Sequence, residues 1–406
     1  MWISNEKIIE LAGEFGTPLY VYDEETLRKS CREMHDLLPY KNFRVSYSAK
    51  ANGNIELMKI IRDEDIDVDA MSPGEIFMQQ SAGFKNEQIL FIPNNVSEEE
   101  MRFAIERNIL ISVDSISQLE MFGRINAGGK VAVRFNPSTG IGHHEKVVTA
   151  GKNTKFGIQP VLIDEVKSLL EKYDLKLTGI NHHLGSLVLT KEPYLTGALE
   201  LLEIAKNFPE LEFIDFGGGF GVPYEKNGSC LDLNDLSSGL DEMLTEFLME
   251  YENKDVLFRI EPGRYIAAEC GILIGTVNSV KTNYDVDYIG TDLGFNVIMR
   301  PVLYDSYHEL HIVNKNSSSN QKKVCTVVGN ICESGDIIAK DREMDQVSEE
   351  DLVVVQTAGA YCFSMSSNYN CRLRPAEVLI NSDKTHRLIR RRETMEDLLQ
   401  TMKGIK

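Results

Sequence analysis

The sequence predicts an α/β protein: a (β/α)8 TIM-like barrel followed by a mostly β C-terminal domain. Three observations lead there. Strand-like runs alternate with helix-like segments between residues 43 and 261, and there are eight such runs. Helix-start signals follow directly on several of those runs. Beyond residue 266 the helical periodicity gives way to short, β-branched or alternating runs separated by turn residues. A doubly wound open sheet would give a similar βα alternation, so the barrel is the stronger of two related expectations.

The eight runs are FRVSYSA (43–49), IDVDAM (66–71), ILFIP (89–93), ILISVD (109–114), KVAVRFN (130–136), LKLTGINHH (175–183), LEFIDFG (211–217) and VLFRIE (256–261). Between them NIELMKIIRDE, EEEMRFAIERN, LIDEVKSLLEKY, TGALELLEIAKNF and GLDEMLTEFLMEY space apolar residues near i, i+3 and i+4, the signature of amphipathic helices. Ser72-x-x-Glu75 (with Pro73 in the first turn), Ser97-x-x-Glu100 and Ser115-x-x-Gln118 read as capping boxes. The expected division is a barrel over 26–265, with 1–25 and 266–406 forming the β domain. NKNSSSNQKK (314–323) reads as a polar hairpin tip or surface loop. The long segment 140–158 after the fifth run is expected to be a mobile lid.

Composition narrows the function. There are 43 basic against 62 acidic residues, a formal net charge of -19, which argues against a nucleic-acid partner and an anionic membrane surface. It does not exclude a small anion, which a few local arginines and backbone N–H groups can bind. The seven cysteines are scattered without a C-x-x-C pair, so reduced thiols in a cytoplasmic protein are expected, rather than disulfides or a zinc site. The acidic N-terminus does not read as a secretory signal, and no apolar run approaches membrane-spanning length.

Barrel active sites are built at the C-terminal ends of the strands. Here those ends carry Lys50, Asp69, Asn94, Asp114, Arg134, His183, the run Gly217-Gly218-Gly219, and Glu261. A solvated rim accounts for any one of them; it does not account for a lysine, a histidine and a glycine run together. Lysine suits Schiff-base formation when partly buried. Successive glycines after the seventh strand let backbone N–H groups approach a phosphate. Glu261, followed by Gly263 and Arg264, could hold a pyridine nitrogen protonated and make the ring an electron sink. Strand alternation lets only one of His182 and His183 face the interior, with Ser186 three residues on. Lysine, phosphate loop and carboxylate together specify pyridoxal 5'-phosphate. No metal-ligand cluster is visible, and the first run lacks the G-x-G-x-x-G of a dinucleotide site.

The motifs YSAKAN, VDAMSPGE, VRFNP, TKFGI, HHLGS, GGGFG, EPGRY, MRPVLYDSYH, CESGD and GAYCFSMSSNYNCRLRPAEVLI occur in this order along nearly the whole chain. On them the sequence resembles the pyridoxal-phosphate decarboxylases with an alanine-racemase-like barrel and a β domain, and within that group the diaminopimelate decarboxylases. Pro73 and Pro93 stand where glycine is frequent in that group, at turns that tolerate proline. The resemblance implies that Lys50 carries the cofactor and His183 packs on its ring. Asp69, Arg134, Ser186, Gly217, Gly218, Gly219, Glu261, Gly263, Arg264 and Tyr361 would complete the cofactor site. Arg264, Arg300, Tyr304, Cys332, Glu333 and Tyr361 would meet the substrate.

The resemblance further implies that Cys332 gives the proton that replaces the departing carboxylate. A thiol with an ordinary pKa of about 8.5 is mostly protonated near neutrality and can do so. Read alone, Cys332 has no neighbouring histidine and would pass for a buried structural thiol. The implied reaction turns meso-2,6-diaminopimelate into L-lysine and CO2, in a homodimer whose active sites are shared between subunits. A decarboxylase for ornithine, arginine, carboxynorspermidine or a specialised-pathway analogue is the alternative on the same fold. A racemase, or a catalytically dead regulator, is a weaker one.

Overall fold

The computed structural model describes residues 1–137, 140–142, 149–151, 154–313, 322–402 and 404. The centre of the 140–158 segment and most of 314–323 therefore lie outside the described residues. Contacts divide the chain into two units. One comprises Arg28–Val222 and Ser229–Ile266; the other comprises Met1–Leu27, Pro223–Gly228 and Ala267–Lys406.

The first unit is a closed eight-stranded parallel barrel. Its strands are Phe43–Ser48, Asp67–Ala70, Ile89–Phe91, Leu110–Val113, Lys130–Arg134, Lys176–Asn181, Phe213–Asp215 and Leu257–Ile260, each inside one of the eight expected runs. Closure is made by the last strand pairing with the first, Ile260 opposite Val45. A helix follows every strand; the last of them is the single turn Arg264–Ala267. Three of the helices begin where the capping signals stand. The Ser72, Ser97 and Ser115 hydroxyls accept from the backbone N–H three residues on, and Ser97–Glu100 forms the full reciprocal box.

Alternation turns every second strand residue inward. Leu90, Ile92, Ala132 and Phe213 make a small apolar cluster. Ser46, Ser48, Asp69, Ser112, Asp114, Arg134, Asn181, Asp215, Arg259 and Glu261 are all buried polar groups of this unit. So polar a strand lining is costly unless paired, and it marks where the unit is built for binding rather than for stability.

The second unit is a nine-stranded mixed sheet. Leu19–Asp23 lies inside it, antiparallel to Gly271–Asn283 and parallel to Ala376–Ile380. Leu19 and Val21 point into the same core as Ile272, Ile274, Val354 and Val378, joined by Ile8 and Leu11 of the helix Asn5–Phe15. That shared apolar face is what assigns the N-terminus to this unit. Ile337–Asp345, antiparallel to Lys322–Val328, is a strand that the turn-rich reading of CESGD passed over.

Candidate active site

The glycine run is a backbone cradle. Gly217 and Gly219 have φ of +65° and +104°, which L side chains avoid. A Cβ on Gly218 would lie 1.9 Å from the Glu261 carbonyl oxygen, so only glycine lets the seventh and eighth strand ends approach this closely. Gly217 N donates to Asp215 Oδ1 (2.9 Å), and Glu261 N donates to Gly217 O (2.8 Å). Beside the cradle, Arg264 Nη2 donates to Ser186 Oγ at 2.8 Å. The turn Glu261–Arg264 is buried throughout, Gly263 included.

Lys50 sits on the single 3-10 turn that follows the first strand, half-buried. Its positive charge bears on Asp69, Glu261 and His183. Asp69 accepts from Ser48 Oγ at 2.5 Å, and burial raises its pKa. Burial pushes Glu261 well above the usual carboxylate range, helped by the charges of Asp215 and Asp69. Arg134 is buried, stacks over Phe156 at 4.7 Å, and is pushed down by burial.

His183 is the histidine on the polar side. Its Nδ1 accepts from Gly218 N at 3.2 Å, which leaves Nε2 to carry the proton of the neutral ring. Burial, then the charges of Lys50 and Arg134, hold it well below its ordinary value. His182 is fully buried beside Phe216, its ring pushed down to about 3, mainly by burial.

The buried oxygens test whether a cofactor fits. Glu261 Oε1 and Asp69 Oδ1 have no donor among the described residues. A buried carboxylate oxygen without a donor is unfavourable. A protonated ring nitrogen would satisfy Glu261, and the glycine cradle with Ser186 and Arg264 would suit a phosphate. The residues present fit pyridoxal phosphate. Sequence reasoning passed over Arg259, which donates to Ser46 Oγ (2.5 Å) and lies 3.8 Å from Asp67 and 3.9 Å from Asp215. Stepping back two residues from Glu261 and from Gly217 reaches Arg259 and Asp215, so alternation held that signal.

A sequence profile of the family described as "Pyridoxal-dependent decarboxylase, pyridoxal binding domain" matches residues 24–268. The chain belongs to the pyridoxal-dependent decarboxylases. Among relatives in this family, the diaminopimelate decarboxylase of Methanothermobacter thermautotrophicus is 39% identical, over 98% of this chain and 94% of that protein. The crystal structure of diaminopimelate decarboxylase from M. jannaschii in complex with L-lysine has a TM-score of 0.88 at 31% identity, covering 98% of this chain and 94% of the other. That of the Helicobacter pylori enzyme with L-lysine has a TM-score of 0.89 at 29% identity, covering 97% and 98%. The cofactor of this decarboxylase family is pyridoxal phosphate, which the barrel residues fit.

The remaining expected residues lie in the second unit. Arg300, wholly buried, opens the short helix Arg300–Tyr304; its Nη1 meets His308 Nε2 at 2.8 Å and its guanidinium lies 4.5 Å from the Tyr224 ring. His308 Nδ1 contacts the Gln356 carbonyl (2.9 Å), so the ring is fixed from both sides. Tyr304 ends that helix, and Tyr361 holds a φ of +59°. Cys332 and Glu333 are exposed. Cys332 is therefore not the buried structural thiol for which it would pass when read alone. Asp336 knits their turn: its carboxylate accepts from Phe295 N (2.6 Å) and Ile331 N (2.7 Å). Tyr369 Oη donates to Glu333 Oε1 at 2.6 Å. His308, Tyr369 and Asn370 lie inside the motifs MRPVLYDSYH and GAYCFSMSSNYNCRLRPAEVLI, but nothing in their spacing singled them out.

Proposed function

We infer that this chain decarboxylates meso-2,6-diaminopimelate to L-lysine and CO2, with pyridoxal phosphate as cofactor. The observation that carries it is the grouping of Lys50, Asp69, His183 and Glu261 beside the glycine cradle. Lys50 would hold the cofactor; Ser186, Gly218 and the Glu261–Arg264 turn would hold its phosphate, with Asp69 and Arg134 setting the surrounding charge. Bound pyridoxal phosphate supplies the electron sink for the pair left when CO2 departs. Glu261 would take its share of a proton at the ring nitrogen, satisfying its donor-less Oε1. His183, kept neutral, adds no competing positive charge there. Arg300 and Arg264 offer cations to substrate carboxylates, Tyr304, Glu333 and Tyr361 would border the substrate, and the Cys332 thiol would give the proton that replaces CO2.

The site is completed in a cytoplasmic homodimer, with the β domain of 1–25 and 266–406 contributing Cys332 to a partner's barrel (26–265). All seven cysteines are free thiols, which supports a reducing compartment, and no described helix is long and apolar enough to cross a membrane. The test is CO2 release from meso-diaminopimelate beside lysine, ornithine and arginine. Release from diaminopimelate alone is expected; release from ornithine instead would overturn the substrate. Mixing Lys50→Ala with Cys332→Ala subunits should restore activity through hybrid sites. No recovery despite proven subunit exchange would overturn the shared site.

A further inference from the structure

Cys332 is an exposed thiol, yet its sulfur is held from one side. Asn370 reaches it from a second segment, Tyr369–Cys371. Cys332 N donates to Asn370 Oδ1 at 3.1 Å, and Asn370 Nδ2 donates to Cys332 Sγ at 3.2 Å. The backbone N–H can only donate, so it fixes the amide's oxygen toward itself and its NH2 toward the sulfur. Two further bonds tie the segments together: Tyr369 Oη to Glu333 Oε1, and Arg372 Nη2 to Asn330 O at 2.8 Å.

The backbone is strained to achieve this. Asn370 and Cys371 both have a φ of +55°. Two successive non-glycine residues in the left-handed region are uncommon and cost free energy that the surrounding contacts must offset. Asparagine is among the residues that tolerate that region best, and here it also supplies the amide.

We propose that Asn370 is the positioning residue for Cys332, aiming its S–H proton outward and stabilising the thiolate that proton donation leaves. The geometry gives both effects. An N–H directed at the sulfur occupies a lone pair on the platform side, so the S–H bond points away from the platform. When the proton leaves to a carbanion, a new C–H bond forms, the S–H bond breaks, and the sulfur keeps the electron pair. The same N–H then bonds a charged acceptor, and charge-assisted bonds are roughly twice as strong as neutral ones. The donor is therefore matched to the product of the proton transfer more than to its starting state, which is how a fixed dipole accelerates a step. This deepens the proposed function and rests on its assignment of Cys332 as the acid.

The test uses the holoenzyme and two variants. Asn370→Asp keeps the acceptor for Cys332 N and a residue that tolerates positive φ, but replaces the N–H donor with a charge. Asn370→Gly keeps the backbone conformation and removes the amide. The readout independent of catalysis is the pH profile of Cys332 alkylation by iodoacetamide, followed by peptide mass. The other titratable or charged side chains of the two segments, Glu333, Asp336, Tyr369, Cys371 and Arg372, are unchanged in every variant. Alkylation of Asn370→Gly should need higher pH, its rate at pH 7.5 falling about threefold to tenfold, and Asn370→Asp should move further in the same direction. In parallel kcat should fall about tenfold to hundredfold with KM nearly constant. An unmoved alkylation profile and an unchanged kcat in Asn370→Gly would overturn the proposal. Wild-type kcat in Cys332→Ala would instead overturn the assignment of the acid on which it rests.

Discussion

The barrel rim and the Cys332 platform solve opposite problems. On the rim, Asp69, Arg134 and Glu261 are buried and His183 is half-buried, and burial is the largest influence on the ionisation of each. On the platform, Cys332, Glu333, Tyr369 and Asn370 are exposed, and what holds them is a set of short hydrogen bonds between two turns. Groups that bind a ring and a phosphate gain from desolvation, which strengthens every electrostatic interaction made there. An exposed thiol is placed chiefly by the hydrogen bonds of its own turn, and here Asn370 supplies them. The difference teaches that the barrel cluster is a property of packing, whereas the surroundings of Cys332 are a property of loops.

Substitutions should break the two regions differently. Lys50→Ala is expected to lose both the cofactor's visible absorbance and all activity. Cys332→Ala should keep the absorbance and lose about 10²–10⁴-fold in kcat. Loss of absorbance in Cys332→Ala would collapse the distinction between the regions.

A smaller effect should follow from Asp336→Ala. It removes a carboxylate that accepts from two backbone N–H groups, Phe295 and Ile331. At about 1.5–3 kcal/mol for each bond to a charged group, the variant should lose about 3 kcal/mol or more in chemical denaturation, together with Cys332-dependent turnover. Retained stability would show that the platform does not depend on that carboxylate.

The smallest effect concerns pH and the barrel alone. His182 is held at about 3, below its unfolded value near 6.5, by burial. Its folded form is therefore neutral, and the stability it contributes is present above pH 6.5 and lost as pH falls toward 3. Between pH 7 and pH 4.5 the midpoint of thermal unfolding should fall more steeply in the wild type than in His182→Phe. Parallel pH curves for the two would show that the ring does not titrate with unfolding.

The βα alternation was legible because apolar periodicity and Ser-x-x-Glu caps are local signals, and all eight strands lie where periodicity puts them. Lys50, Glu261 and the glycines were legible because strand ends in a barrel converge. Arg259 was passed over, since a charged residue inside a strand reads as an error until alternation and closure turn it inward. Ile337–Asp345 was missed because the turn residues of CESGD masked the strand after them. Asn370 could not be found locally, since it lies 38 residues from the sulfur it holds.

By itself, then, the sequence determined the order of elements, the family, and the residue types that bind a phosphate and a pyridine ring. Those follow from short-range spacing, which one chain displays in full. Tertiary structure alone decided the ionisation of Glu261 and His183, the exposure of Cys332 and its pairing with Asn370. Desolvation and long-range hydrogen bonds depend on what surrounds a group in space, and no spacing along the chain encodes that.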